Sequence, residues 1–176
     1  MSFRRTGGNP FGQGETAPLQ RAVLTEFLYD NQAALYRLAF AYVHSREAAL
    51  DVVQDTVVNA MTHLSSLKSD DAVKPWVYRI LVNESLGYLR RSRRLVLVEE
   101  TPEDAVFPED MGERLDLYRA VEGLEPKLRT IVMLRFYEDM KLEDIARVTG
   151  TNVNTVKSRL YKALDRLRVE LGCEIG

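Results

Sequence analysis

Lys141-Leu142-Glu143-Asp144-Ile145-Ala146-Arg147-Val148-Thr149-Gly150-Thr151-Asn152-Val153-Asn154-Thr155-Val156-Lys157-Ser158-Arg159-Leu160 holds two periodic runs divided by one glycine. In the first run Leu142, Ile145, Ala146 and Val148 recur at helical spacing and give one buried side. Ala146 is small enough to let a second helix cross closely. Gly150 is suited to the left-handed backbone that ends a helix. Asn152 is suited to cap the next one, which opens at Val153 and turns Val156, Leu160, Leu164 and Leu167 inward. A helix, a glycine turn and a second helix make a helix-turn-helix.

Charge gives this motif a direction. Lys141 to Arg168 contains seven basic residues against Glu143, Asp144 and Asp165. Cations beside phosphates gain affinity by releasing condensed counterions. In such a motif the start of the second helix enters the major groove. Asn154, Thr155, Lys157, Ser158, Arg159 and Lys162 are the outward candidates. Asn154, Lys157 and Ser158 are assigned to base edges or their rim, and Arg159 and Lys162 mainly to phosphates. A solvated helix face is the plainer use of the same charges; the capped turn and the small crossing residue favour DNA.

Working outward, helical spacing resumes at about Leu115, with Leu117, Val121 and Leu124 before Pro126. Leu128, Ile131, Val132, Leu134 and Phe136 follow as another buried face. Upstream, Glu99 to Glu113 holds seven acids and no base, with Pro102 and Pro108 inside it. Self-repulsion and proline make it an expected linker. Leu95 to Val98 is either a brief strand or a segment docked on a helix. The first block reads as about three helices. Leu24, Phe27, Leu28, Leu35, Leu38, Ala39 and Tyr42 share one face. Ser45 caps the run Ala49, Val53, Val57, Ala60, Met61 and Leu64. Val73, Trp76, Val77, Ile80 and Leu81 form the third, with Pro75 in its first turn.

That third helix carries a second basic region, in which Arg79, Arg90, Arg91, Arg93 and Arg94 meet only Glu84. Trp76, Tyr78, Asn83 and Tyr88 precede the cluster, and aromatic rings stack on unpaired bases. Trp76 also matches the core spacing of Val73 and Ile80, which favours packing. The loop Ser65 to Asp71 is placed to receive an extruded base.

Composition narrows the class. Apolar residues at 45% support real cores, and the net charge of -2 conceals the local asymmetry. One cysteine, Cys173, with only His44 and His63, speaks against a structural zinc or a metal-dependent enzyme. No apolar run approaches the roughly 20 residues that span a bilayer. Residues 1–18, rich in glycine, read as a flexible tail rather than a signal peptide.

These motifs together resemble the extracytoplasmic-function sigma factors, the minimal two-domain members of the sigma-70 superfamily. The resemblance rests on Thr155-Val156-Lys157-Ser158-Arg159-Leu160 preceded by Glu143-Asp144-Ile145-Ala146. It rests also on Asp51-Val52-Val53-Gln54-Asp55, and on Trp76-Val77-Tyr78-Arg79-Ile80 with Asn83 and the arginine cluster. It implies an all-α fold of two small helical domains joined by an acidic linker. The expected division is 1–18 tail, 19–94 region 2 domain, 95–112 linker, 113–171 region 4 domain and 172–176 tail.

The implied partners are core RNA polymerase, through its largest-subunit clamp helices and its flap, promoter DNA, and an anti-sigma protein. Asp51, Gln54 and Asp55 would contact polymerase, with Leu50 and Val53 adding apolar packing. Trp76, Tyr78, Arg79, Asn83, Arg90, Arg91, Arg93 and Arg94 would melt the promoter element nearest the start site, and the helix-turn-helix would read the more distant one. A cytoplasmic monomer without cofactor or catalytic activity is expected. Two positions depart from the pattern: Gly87 where aspartate is common, and Glu125 before Pro126 where leucine is usual. The rival reading is a dimeric helix-turn-helix regulator with residues 19–94 as a sensory domain.

Overall fold

The computed structural model describes residues 16–95 and 112–172, and side chains from 18 to 93 and from 117 to 172. Eight α-helices account for most of it: α1 (Thr16–Asp30), α2 (Gln32–Val43), α3 (Arg46–Thr62), α4 (Val73–Leu95), α5 (Gly112–Glu122), α6 (Pro126–Val132), α7 (Leu142–Thr149) and α8 (Val153–Glu170). The first four and the last four form two helical bundles. Both chain ends and the acidic strip up to Met111 lie outside the described residues, and Glu113 of that strip belongs to α5.

Local chemistry explains most boundaries. Ser45 accepts from the Ala48 amide at 3.3 Å and caps α3. Pro126 opens α6, where its missing N–H costs nothing. Pro75 lies in the first turn of α4. The long apolar run from Leu19 to Tyr42 is two helices, not one. Asn31 interrupts it, its side chain donating to the Phe27 carbonyl at 2.8 Å, so the first bundle has four helices where three were expected. The first helix begins at Thr16, inside the expected tail, and α4 runs through Leu95, which is therefore not a strand.

Three apolar positions also differ from expectation, the first being Leu117 of α5 at 41% exposure. A π-helical turn at Met133–Tyr137 follows α6, and its extra residue per turn rotates Phe136 out to 58% exposure. In α8 the inward stripe is Val156, Leu160, Ala163 and Leu167; Leu164 lies at its exposed edge.

The two bundles share one continuous apolar core. At the seam α7 lies along α4, and α6 touches α2. Polar pairs complete it. Arg129 donates to the carbonyls of Ala41, Glu122 and Leu124 and, at 3.0 Å, to His44 Nε2. Burial first, and then the neighbouring guanidinium, hold the His44 imidazole below its ordinary value, so the ring accepts as a neutral group. Tyr42 pairs with Thr130, and Tyr78 donates to Glu138.

The glycine turn gives a local test. Gly150 has φ +64°, and a Cβ there would meet nothing within 4 Å. Replacing it with alanine therefore adds only backbone strain, and urea unfolding should show a loss of about 1–2 kcal/mol. Gly150→Asn should recover much of that loss, since asparagine visits the left-handed region more readily.

Candidate nucleic-acid interface

The turn between α7 and α8 is built by three local bonds. The Gly150 and Thr151 amides both donate to the Ala146 carbonyl, the second at 3.0 Å. Asn152 then stands in extended backbone, and its Oδ1 accepts from the Thr155 amide at 2.8 Å. The leading end of α8 is thus fixed while Val156, at 0% exposure, anchors its other side.

Asn154, Lys157, Ser158 and Lys162 are exposed, and Thr155 and Arg159 are partly so. All six flank one outward surface. Six of the seven basic residues of this segment divide into two sets. Arg147 pairs with Asp144, Arg166 with Glu125 and Arg168 with Asp165. Among the described residues Lys157, Arg159 and Lys162 have no acidic partner. A cation left without an internal partner keeps its full charge for a phosphate. Tyr161, 72% exposed, sits in the middle of this face and was missed in the sequence. The signal was available: it is seven positions after Asn154, two turns along the same stripe.

The second basic region is less uniform. Asn83, Arg90, Arg91 and Arg93 are exposed along α4, and Arg94 lies in its last turn with its side chain outside the described residues. Trp76 is partly buried and lines a cavity of about 480 Å³ together with Ser66, Leu67, Lys68, Ser69 and Arg79. The loop expected to receive an extruded base therefore does form one wall of a cavity. Tyr78 departs from expectation. Its ring is fully buried, edge-on to Phe27, and its hydroxyl is bound to Glu138. Burial, and then that carboxylate, push its phenol well above the usual tyrosine range. In this arrangement Tyr78 is not open to a strand.

On α3, Leu50, Asp51, Gln54 and Asp55 are exposed and Val53 is partly buried. Leu50, Val53 and Gln54 belong to an apolar groove that Val57, Val58 and Met61 continue along α3 and that Tyr29 and Tyr36 close from α1 and α2. The last five were not singled out as site residues: Val57 and Met61 read as core by their spacing, and Tyr29, Tyr36 and Val58 fall outside the periodic runs. The two departures are quiet here. Glu125 pairs with Arg166 at 3.0 Å, and a Cβ on Gly87 would meet Arg91 Nη1 at 3.4 Å.

Among the described residues there is no group of side chains that could hold a metal ion, and no helix is long and apolar enough to cross a membrane. Comparison with known proteins gives a consistent answer. A model described as "Sigma-70 region 2" matches residues 28–95, and one described as "Sigma-70, region 4" matches residues 114–167. The chain is 39% identical over 153 residues to the RNA polymerase sigma factor SigV of Bacillus subtilis, covering 86% of this chain and 92% of that one. It is 30% identical to the ECF RNA polymerase sigma-E factor of Haemophilus influenzae, over 79% of this chain and 81% of the relative.

Among solved structures, the sigma factor RpoE in complex with the anti-sigma factor NepR from Bartonella quintana superposes with a TM-score of 0.74. That match has 26% identity and covers 84% of this chain and 96% of the other. CnrH, solved with the cytosolic domain of CnrY, shares the fold at 21% identity and a TM-score of 0.64 over 90% of this chain and 97% of that one. Both blocks match, in order and over nearly the whole length of the relatives. This removes the dimeric regulator and any enzymatic reading. With its turn-linked helix pair and its paired basic surfaces, the chain belongs to the extracytoplasmic-function sigma factors of the sigma-70 superfamily.

Proposed function

We propose that this chain binds core RNA polymerase through the α3 groove and directs promoter-specific initiation with two DNA-contacting surfaces. The leading end of α8, a helix-turn-helix recognition helix, reads the distant promoter element as duplex. Asn154, Lys157 and Ser158 meet base edges, and Arg159 and Lys162 hold phosphates. Around Trp76, Arg79, Asn83 and the arginines to Arg94, α4 takes the melted element near the start site. The cavity beside Trp76 receives an unstacked base. Residues 95–112 link the two surfaces. Linking two modest contacts raises the effective concentration of the second once the first is made. Binding by an anti-sigma protein, and residence in the cytoplasm as a free monomer, follow from the same family reading.

One observation carries the duplex assignment: among the described residues Lys157, Arg159 and Lys162 have no acidic partner, and they lie on the outward side of a helix whose start is fixed by Gly150 and Asn152. The test is transcription by core polymerase, with and without this protein, from a pool of promoter fragments. New promoter choice that depends on the protein is expected. Lys157→Ala with Arg159→Ala should lower promoter affinity by an order of magnitude or more, and the loss of Arg159 should flatten the salt dependence by about one phosphate contact. Core polymerase that neither binds the protein nor changes its promoters would end the proposal.

A further inference from the structure

The methionines among the described residues differ in access. Met133 and Met140 are each 3% exposed inside the core. Met61 is half-buried in the last turn of α3, where it ends the apolar row Leu50, Val53, Val57 and Val58 along the groove. Steps of three and four residues set these side chains on one side of the helix. A thioether has a property that the rest of the row lacks, a sulfur lone pair open to oxidation. A peroxide transfers one oxygen atom to it: the O–O bond breaks, the S–O bond forms, and water leaves (an alcohol, from an organic peroxide). Sulfur gives up two electrons, peroxide takes them, and no net proton is consumed. The product is a sulfoxide, polar and hydrogen-bond accepting. In the free chain water meets that oxygen; in a covered groove it needs a donor. On its own row none lies nearer than Gln54, two helical turns back. Thr62 and Thr25 already donate to the Val58 and Arg21 carbonyls, at 2.7 and 2.8 Å.

We propose that Met61 is a reversible oxidation site, at which a peroxide turns the end of the α3 groove polar and weakens its hold on core polymerase. The inference rests on the reading of that groove as the polymerase-binding surface. Reversal follows the chemistry of any methionine sulfoxide: two thiols of a reductase become a disulfide, and the oxygen leaves as water. Packing shields Met133 and Met140, so the helices survive an exposure that modifies Met61. A seated polymerase shields Met61 as well, so the modification acts on the free chain and blocks assembly rather than dismantling it.

The test uses full-length protein with Cys173→Ser, which removes the one thiol. Brief treatment with hydrogen peroxide, then its removal, precedes peptide mass spectrometry and titration with untreated core polymerase. Met61 should gain oxygen well before Met133 or Met140. Core affinity should fall about tenfold, as for one unpaired polar group in a covered interface. A methionine sulfoxide reductase should restore it, and the helical circular dichroism should not change. Met61→Leu has no sulfur here, so its affinity, compared with its own untreated value, should not respond to peroxide. The proposal is overturned if Met61 reacts no faster than the buried pair, if Met61→Leu responds as the parent does, or if helical signal is lost together with binding. The underlying reading is tested apart from it. Core polymerase present during treatment should slow the oxidation of Met61, and equal rates with and without core would remove the groove reading itself. Slowed oxidation, with unchanged affinity once Met61 is oxidised, would overturn the oxidation site alone.

Discussion

Arg129→Ala lowers the unfolding free energy by about 3–5 kcal/mol, the largest effect expected of any single polar truncation in the molecule. Arg129 is 8% exposed, and its guanidinium serves two helix ends. One nitrogen donates to the Ala41 carbonyl at the end of α2 and to His44; the other donates to the carbonyls of Glu122 and Leu124 where α5 ends. Terminal carbonyls lack partners within their own helices, and a cation there also opposes the helix dipole. Removing the side chain leaves these buried acceptors unsatisfied in both bundles at once. For a chain of this size, about 3–5 kcal/mol lowers the melting temperature by on the order of 10 °C. Arg129→Lys should recover only part of it, because one ammonium cannot reproduce the planar fork. Calorimetric melting of the three proteins checks the order. An alanine variant as stable as the parent would show that the carbonyls find other donors.

How far this architecture could be read in advance depends on the range of each interaction. Gly150, Asn152 and Ser45 act within four residues of themselves, so their caps were legible. So was the face of α8, because helical periodicity places Asn154, Lys157 and Ser158 together. Asn31 splits α1 from α2 with a side-chain bond that needs neither proline nor glycine, and no periodic signal marks it. The π-helical turn that exposes Phe136 is equally silent. The seam was illegible for a deeper reason. Arg129 reaches Ala41 across 88 positions, and Tyr78 reaches Glu138 across 60. Such pairs leave no spacing rule, so Tyr78 read as an available aromatic and nothing singled out Glu138. In each bundle the local chemistry builds the helices, and in the seam tertiary packing decides which functional side chains are free.

Leu50→Glu combined with Val58→Glu weakens binding to core polymerase by about a hundredfold or more, while leaving the fold intact. Leu50 is 47% exposed and Val58 65%, so each accepts a carboxylate in the free protein at little cost. Both line the groove that Val53, Val57, Met61 and Tyr29 make apolar. In the proposed complex this groove is covered, and a charge taken out of water without a partner costs a few kcal/mol. A hundredfold change corresponds to about 2.7 kcal/mol, which is within reach of two such residues.

The rim should behave differently. Asp51→Asn with Asp55→Asn alters exposed charges, so its effect should be large at low salt and shrink as salt screens the attraction. Titrating fluorescent protein with core polymerase at two salt concentrations separates the two behaviours. The groove variant must fail at both, the rim variant mainly at the lower. Lys157→Ala with Arg159→Ala, which touches only the duplex-reading helix, should bind core with nearly unaltered affinity. Parent-like binding by Leu50→Glu, Val58→Glu at both salts would mean that polymerase docks elsewhere on the chain and that the groove serves another partner.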